Sequence, residues 1–452
     1  MLDSDEQVER CLGKIFVENT ILERIKDLCL LGSRFSGSES EIKAQEYIIE
    51  QIKNIGIKHS EFEFKYQGWQ RGTCNFSIQS QDPHVFPAIS LVLAPSTEED
   101  GIEEIIVDAG GGSEIEFERI KDLVSGKIVM VHSGKTEDGW LHRRIKYANA
   151  VNYGAKAFIF ANHNPGQLFP TGSVRSNRIG EIPAIGISKE SYEYLVEMLK
   201  RQKEIKGRIF VFNHYQMDKS KHIIWEIPGH ITDEVITIGG HYDGHDIAQG
   251  ATDNAASIAV LLELTRLIKE NNVIPNRTLR FIAFAVEEFG VVGSTIYVNN
   301  VNLSDNVCMI NLDGLVGHIP KHIACSGYEE LFDMVKGLKE VLPYDPTFSK
   351  NIITASDNYP YLCKGIPNLC IYGQRSDPSV GRGYGHTSAD TFDKISRLDA
   401  KLSLAFALVF IYEFCKLAKM PKKLTEAETI KILQDAKLEN NLKLLDKWPF
   451  KK

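Results

Sequence analysis

The spacing of hydrophobic positions predicts helices first and buried strands later in the chain. Near the N-terminus, SESEIKAQEYIIEQIKNIGI carries an apolar stripe at helical spacing. A capping box at Ser38 and Glu41 and a stop at Gly56 frame this helix. From residue 222 to about 416, the continuous apolar runs EVITIGG, TLRFIAFA, VCMINLDG and IPNLCIYG are separated by helical segments such as 255–270. Unbroken apolar runs are typical of parallel strands buried on both faces. We therefore predict an α/β fold with a mostly parallel central sheet and helices on both faces.

The stretch between these two regions has a different pattern of apolar and turn-forming residues. Residues 71–212 contain short β-rich pieces such as GKIVMVHSG and AKAFIFAN, broken by Gly, Pro, Asp and Asn. They enclose one clear helix, RRIKYANAVNYG. We predict an inserted β-rich α/β domain over 71–212. Residues 1–70 and 213–420 then form one discontinuous domain, and the charged segment 421–452 forms a helical C-terminal extension.

Composition narrows the class of protein. The chain has 452 residues, 43% hydrophobic and 25% charged, as in a globular protein with a sizeable core. Its net charge is −8, which argues against nucleic acid as a partner because phosphate binding needs clustered Lys and Arg. No apolar run of membrane-spanning length and no signal-like N-terminus are found, so we expect no membrane association. The eight cysteines are scattered without a C-x-x-C pair, which favours reduced thiols and a cytoplasmic location.

Metal-capable side chains follow each predicted strand of the second region. In chain order they are His241, Asp253, Glu287, Glu288, Asp313 and His386. Ligands of open α/β sheets bind beyond the carboxyl ends of the strands, so these residues should converge at one edge. A single His or Asp at a strand end is usually a polar cap. The joint pattern is much less frequent by chance.

The number of these side chains fits a two-metal site. Two metals that share a carboxylate need about five protein ligands, and catalytic zinc combines His and carboxylate ligands with an open position. Five ligands are available: His241, Asp253, Glu288, Asp313 and His386. Glu287 is left over, and an unliganded carboxylate beside metal-bound water can act as a general base.

These motifs resemble the M28 family of co-catalytic zinc exopeptidases. The resemblance rests on GGHYDGHDIAQGATDNAAS, AVEEFGVVGS, NLDG, SDNYPYLCKGIP and GYGHTSADTFDKI, and it extends to the N-terminal LGSRFSGSE segment. It covers most of the chain outside the insert and the tail. Members of this family include aminopeptidases and glutamate-carboxypeptidase-like enzymes.

The resemblance implies a role for each site residue. His241 and Asp313 would bind one Zn²⁺, Glu288 and His386 the other, and Asp253 would bridge both. Glu287 would be the general base, and Asp243 would orient His241 through the ring nitrogen that does not face the metal. A cis peptide between Asp253 and Asn254 is also implied. A carboxylate-rich site also accepts Co²⁺ or Mn²⁺.

The insert resembles a protease-associated (PA) domain. The resemblance rests on VSGKIVMVHSGKTEDGWLHRRIKYANAVNYGAKAFIFANHN and IPAIGISKESYEYL. Such a domain can limit access to the catalytic cleft. A purely structural insertion that does not contact substrate is the alternative, and the sequence leaves both open.

Several nearby residues receive weaker interpretations. We expect His245 and Asp246 to belong to a polar loop, in which Asp246 could also support a metal ligand, and Asp357 to shape the pocket. The tetrahedral intermediate needs a hydrogen-bond donor to its oxyanion, and some members of the resembled family place a Tyr just before the SD pair. Here the stretch is IITASD, without a Tyr, so Tyr384 and Tyr359 are the candidate donors. The loop before His386 also holds Arg375 and Arg382, which could bind a substrate carboxylate, although surface positions are the more common outcome.

The functional prediction is a di-zinc aminopeptidase that acts on short peptides. An acidic two-metal site suits a free α-amine. A carboxypeptidase or dipeptidase of the same family is the main alternative, with Arg375 or Arg382 holding the carboxylate. A glutaminyl-cyclase-like enzyme with one zinc and an inactive structural relative are minor alternatives. The predicted partner is a peptide substrate, and a homodimer stays open.

Overall fold

The computed structural model describes residues 4–79, 83–137, 139–202, 204–317, 319–373 and 384–450. Two eight-stranded sheets organise this part of the chain. The strands are β1 (His59–Gln70), β2 (Cys74–Gln79), β3 (His84–Phe86), β4 (Ile89–Ser90), β5 (Ile102–Asp108), β6 (Ile128–His132), β7 (Ala157–Ala161), β8 (Ala184–Ile187), β9 (Lys206–Val211), β10 (His214–Ile227), β11 (Ile231–His241), β12 (Arg277–Phe284), β13 (Asn306–Leu312), β14 (Lys321–Ala324), β15 (Thr347–Ser349) and β16 (Asn368–Gly373).

Helices of very different length accompany the strands. They are α1 (Ser4–Val17), α2 (Thr20–Leu30), α3 (Glu39–Asn54), α4 (Glu114–Arg119), α5 (Lys121–Val124), α6 (Arg143–Asn152), α7 (Lys189–Arg201), α8 (Ala256–Glu270), α9 (Val292–Asn300), α10 (Glu329–Gly337), α11 (Asn358–Cys363), α12 (Arg397–Lys416), α13 (Glu426–Asp435) and α14 (Glu439–Leu444). A π-helical turn covers Ala251–Ala255, and 3₁₀ turns cover Lys339–Val341 and Phe392–Lys394. None of the described helices is both long and apolar enough to cross a bilayer.

The first sheet has a parallel centre. Its order is β1-β10-β12-β11-β13-β16-β14-β15, and β12, β11, β13 and β16 run parallel to one another. An antiparallel ribbon of β1 and β10 extends one side, and β14 lies antiparallel to β16 on the other. The prediction of a mostly parallel α/β sheet is confirmed.

Helices cover both faces of this sheet, as the alternation along β12 shows. Phe281 and Ala283 join the large core that includes the buried face of α8, whereas Ile282 and Phe284 join a second core with Tyr297 of α9. Because successive strand residues point to opposite faces, one strand fills two cores. This burial on both faces explains why the strand sequences are continuously apolar.

The second sheet is built entirely from strands between Cys74 and Val211. Its order is β3-β2-β9-β5-β6-β7-β8-β4, with β5 to β8 parallel. The predicted helix between two of these strands is present as α6. The chain leaves the first sheet after β1 and returns through β10, which pairs with β1 along its whole length. The prediction of an inserted β-rich α/β unit is confirmed.

Candidate active site

The carboxyl ends of the parallel strands deliver the predicted site residues to one edge. In the register of the sheet, His241 at the end of β11 lies beside Phe284 of β12, and Leu312 of β13 lies beside Ile371 of β16. Glu287 and Glu288 follow β12 after two residues, and Asp313 follows β13 directly. Parallel strands therefore explain why side chains far apart in sequence meet here.

Two groups of ligand atoms form around Asp253. His241 Nε2 lies 3.2 Å from Asp253 Oδ1 and 3.8 Å from Asp313 Oδ1. On the other side, His386 Nε2 lies 3.2 Å from Asp253 Oδ2 and 3.7 Å from Glu288 Oε2. Each oxygen of Asp253 thus faces a different histidine. This is the arrangement that a bridging carboxylate would have.

The surroundings are unfavourable for so many negative charges. Glu287 and Glu288 are 6% and 3% exposed. Burial, together with the neighbouring carboxylates, raises the pKa of Glu287 well above its usual range and that of Glu288 to about 7. Buried carboxylates at such short separations favour a bound cation. The acidic cluster therefore has the electrostatics of a metal site.

Asp243 organises the loop that carries the two glutamates. Its Oδ1 accepts a hydrogen bond from Glu287 N and its Oδ2 accepts one from Glu288 N, both at 3.1 Å. Ser36, from the N-terminal segment, donates to Oδ2 at 3.3 Å. His241 Nδ1 lies 2.9 Å from the main-chain oxygen of Asp243 and 3.7 Å from its carboxylate. The ring nitrogen of His241 that does not face Asp253 thus contacts Asp243, and the shorter contact is to its main-chain oxygen.

The turn that carries Asp253 is held by hydrogen bonds on both sides. The Asp253-Asn254 peptide is cis, which confirms the prediction. Asn254 donates to Leu312 O at 2.9 Å and accepts from Gly314 N at 3.1 Å, so it joins this turn to the loop of Asp313. Asp390 accepts from Thr252 N at 2.9 Å and from Asp253 N at 3.1 Å. Asp390 lies in the HTSADT motif but is not among the predicted site residues.

Further support comes from a buried arginine and from unusual backbone geometry. Arg34 is fully buried and donates to the carbonyls of Tyr242, Gln249 and Gly250, so the N-terminal GSR segment holds the loop after His241. Val286 and Val291, which bracket the glutamates, have left-handed φ angles of 61° and 65°. Such angles are strained for β-branched residues and are typical of functional sites.

His245 lies in the predicted loop, but its side chain is buried in the cluster of site residues. His245 is 4% exposed, and its Nε2 lies 2.8 Å from Glu288 Oε2 and 3.2 Å from His386 Nδ1. It forms a potential metal-binding group with these two residues. Asp246 pairs with Arg71 of the β1–β2 connection at 2.7 Å. The position of His245, two residues after Asp243 in a Gly-rich turn, does not indicate in the sequence which way its side chain points.

The predicted pocket, oxyanion and carboxylate-binding residues have different outcomes in the structure. Asp357 is buried and accepts from Ser294 Oγ at 2.5 Å, and burial raises its pKa to about 7. The Tyr359 hydroxyl donates to the main-chain oxygen of Lys447 at 3.0 Å, so it is already used by the C-terminal segment. Tyr384 stays a prediction; its ring lies 5.3 Å from the Lys394 ammonium. Arg375 and Arg382 lie outside the described residues.

The insert and the C-terminal segment both reach the site. Thr171 N donates to His386 O at 2.8 Å, and Ser176 Oγ donates to Gly290 O at 2.8 Å, so this loop of the insert lies against both sides of the cluster. The segment after α14 attaches to the same loop, because Arg178 pairs with Asp446 at 2.9 Å. Hence the insert contacts the loops of the site, and the C-terminal segment contacts the insert.

The donor set fits divalent metal ions. Ligands of a tetrahedral zinc ion at ordinary bond lengths lie about 3.3 Å from one another. The His-carboxylate separations around Asp253, from 3.2 to 3.8 Å, are close to this value. Glu288 Oε1 is buried without a hydrogen-bond partner among the described residues. Both observations are expected of side chains arranged to hold a cation.

Comparison with known proteins agrees with this geometry. Residues 222–409 match the profile of peptidase family M28, and residues 89–195 match the PA domain. Aminopeptidase YwaD from Bacillus subtilis (strain 168) is 27% identical over 425 residues, covering 90% of this chain and 87% of that protein. Carboxypeptidase Q from Rattus norvegicus is 24% identical over 402 residues, covering 86% and 84%. The structure of BSAP, a zinc aminopeptidase from Bacillus subtilis, superposes with a TM-score of 0.68 at 23% identity, covering 89% of this chain and 96% of that one.

The fold, the buried His-carboxylate site and these matches define a metallo-exopeptidase. The chain carries a peptidase family M28 region over residues 222–409 and an inserted PA domain over residues 89–195.

Proposed function

We propose that the protein is a two-zinc aminopeptidase that removes N-terminal residues from short peptides. The observation that carries the proposal is the position of Asp253 between His241 and His386, with Glu287 beside the group. The aminopeptidases among the similar proteins, one of them a zinc enzyme, support the choice of reaction and metal. Co²⁺ or Mn²⁺ could replace zinc in such a site.

The metal-binding roles follow from the two groups of ligand atoms. His241 and Asp313 would hold one ion, and Glu288 and His386 the other, with Asp253 shared. Bound zinc ions would lower the pKa of the attacking water and polarise the scissile carbonyl. The open side of the site is at Asp313 and His386, whose side chains are 10% and 21% exposed.

Glu287 is the proposed general base. It is buried beside His241, and its main chain is fixed by Asp243, so its carboxylate has a defined position. It takes a proton from the attacking water and then delivers that proton to the leaving amine. Asp243 positions Glu287 and does not itself react. The remaining carboxylates make the cleft attractive for the α-ammonium group of the substrate.

Two alternatives are weighed against this proposal. Carboxypeptidase activity is suggested by the relative named carboxypeptidase Q. A one-zinc cyclase would need only one of the two ligand groups around Asp253. A cytoplasmic location stays a prediction from the scattered cysteines, and a homodimer stays open.

The experiment that tests the function uses one tripeptide of three different residues, free and N-acetylated, with zinc-loaded enzyme. We expect the free peptide to release its N-terminal residue first and the acetylated peptide to resist hydrolysis. Release of the C-terminal residue from both forms would establish a carboxypeptidase instead. Absence of hydrolysis with metal bound would reject the peptidase proposal. Mass spectrometry of early products distinguishes these results.

A further inference from the structure

One arginine, Arg71, contacts both the insert and the loop after His241. It lies in the connection between β1 and β2, where the chain enters the insert. Its Nε and Nη2 donate to the two carboxylate oxygens of Asp246, at 2.7 and 2.8 Å. Nη2 also donates to Thr171 Oγ1 at 2.9 Å. Because Asp246 belongs to the M28 region and Thr171 to the insert, Arg71 has a partner on each side of the boundary between them.

The guanidinium of Arg71 is well fixed. Its side chain is 11% exposed, and that of Asp246 is 22% exposed. Its Cζ lies 5.2 Å from the centre of the Trp69 ring, and the Trp69 indole donates to Ala94 O at 3.1 Å. Two parallel hydrogen bonds between a guanidinium and a carboxylate determine the orientation of both groups, which a single ion pair does not. The position of Asp246 is therefore defined by Arg71.

The contact with Asp246 extends to Glu288 through His245. His245 precedes Asp246 in the chain, and its Nε2 lies 2.8 Å from Glu288 Oε2. A neutral imidazole has one N–H, and here Nε2–H donates to the Glu288 carboxylate. Holding Asp246 thus also holds the neighbouring His245 ring against Glu288, one of the proposed metal ligands.

The contact with Thr171 extends to His386. Thr171 is fully buried, and its N–H donates to His386 O at 2.8 Å. Its main-chain oxygen lies 3.4 Å from His386 Nδ1. A proton on Nδ1 leaves Nε2, which faces Asp253, free to bind a metal ion. Metal-binding histidines commonly have such a carbonyl partner for the other ring nitrogen. Here the partner comes from the insert.

The other group of ligand atoms is held from within the M28 region. His241 Nδ1 lies 2.9 Å from Asp243 O, and Ser356 Oγ donates to Asp313 Oδ2 at 2.5 Å. The contacts of Arg71, in contrast, lead to Glu288 and His386. A loss of Arg71 should therefore affect the two ion positions unequally, whereas a general loosening of the fold would affect both.

Building on the two-zinc function proposed above, we propose that Arg71 is a positioning residue through which the insert raises the metal affinity of the Glu288–His386 position. The insert would then have a role besides the two that the sequence leaves open, a cover of the cleft or a purely structural unit. It would hold two ligands of one ion in place. Loss of such outer contacts typically lowers metal affinity by about 10–100-fold.

Zinc titration of the full-length protein against a competing chelator tests the proposal. We expect R71M to weaken the binding of one of two zinc ions by about 10–100-fold and to leave the other within about threefold. R71K keeps the charge but loses the two-point contact, so it should restore little. D246N should weaken the same ion, and R71M/D246N should lose no more than R71M, because both changes remove one interaction.

Arg280 provides the matched control. Its guanidinium also contacts two carboxylates, Glu226 at 2.7 Å and Asp305 at 2.9 Å, and its side chain is 15% exposed. Asp305 lies at the amino end of β13, whereas Asp313 follows the carboxyl end. R280M should therefore leave the affinity of both zinc ions unchanged. Urea unfolding of R280M and R71M shows how much stability each variant has lost.

The possible results distinguish the role of Arg71 from the proposed function. Two unaltered zinc ions in R71M would overturn the role of Arg71 and leave a two-zinc enzyme. An equal loss at both positions, or the same loss in R280M, would also overturn it, because the arginine would then contribute stability alone. Two zinc ions in the wild type without hydrolysis of any free-amine peptide would remove the proposed function alone.

T171V decides the question if R71M does not fold. Valine has nearly the shape of threonine and keeps the main-chain N–H that binds His386, so the variant removes only the hydroxyl that accepts from Arg71. We expect weaker binding of the same single zinc ion that D246N affects. Unaltered binding in both T171V and D246N would overturn the role of Arg71.

Discussion

Replacing Asp243 with Asn tests whether one buried carboxylate positions the catalytic loop. Asp243 is fully buried, and its two oxygens accept hydrogen bonds from the main chains of Glu287 and Glu288, each at 3.1 Å. An amide has the same shape but offers only one acceptor oxygen. In D243N, one of the two N–H groups must therefore face an NH₂ donor.

The expected loss of unfolding free energy follows from these two hydrogen bonds. A hydrogen bond to a charged acceptor contributes about 1.5–3 kcal/mol, and a buried N–H left unpaired costs about 1–3 kcal/mol. Because one bond is weakened and the other is lost, we expect the free energy of unfolding to fall by about 2–4 kcal/mol. A displacement of the Glu287 carboxylate by about 1 Å would lower kcat about a hundredfold.

Urea unfolding and steady-state kinetics measure these two effects. Asp233 is exposed on β11, the strand that precedes Asp243, so D233N makes the same chemical change without touching the loop. We expect D233N to retain the wild-type unfolding midpoint and rate. The reasoning is refuted if D243N also retains the wild-type midpoint and a kcat/KM within about threefold of the wild type, because the two hydrogen bonds would then contribute nothing measurable.

Three further predictions concern the base, the unexpected histidine and the C-terminal segment. E287Q should lower kcat by about 10²–10⁴-fold while zinc content measured by atomic absorption is unchanged; retained activity would remove Glu287 as the base. H245A should weaken the binding of one of two zinc ions by about 10–100-fold in a chelator titration, because His245 contacts Glu288 at 2.8 Å; two unaltered ions would assign it no such role. R178A breaks the half-exposed pair with Asp446, so the unfolding free energy should change by less than about 1 kcal/mol, yet trypsin should cleave the C-terminal segment faster; an unaltered cleavage rate would contradict the idea that this pair holds the segment.

The positions of the predicted metal ligands show what pattern alone can establish. The strands are continuously apolar because both faces of the sheet are covered, and this local signal identifies where each strand ends. Parallel strands bring those ends to one edge. Residues as distant as His241 and His386 could therefore be grouped from the sequence alone, and Asp253 is indeed close to both.

Other features depend on contacts that no local pattern encodes. His245 and Asp246 are neighbours in one polar turn, yet the first points into the cluster and the second pairs with Arg71. Direction within an irregular loop is decided by what packs against it. The same holds for His241, whose Nδ1 lies closer to the main-chain oxygen of Asp243 than to its carboxylate.

The sequence by itself determined the fold class and the set of candidate ligands, because both depend on periodicity and on strand order along the chain. Only the tertiary structure decided the walls of the cleft. Thr171 belongs to the insert and His386 to a loop about two hundred residues later, and the hydrogen bond between their main chains arises from the packing of separate units. Spacing in sequence carries no information about such a contact, because the contact depends on how the surfaces of separate units pack together.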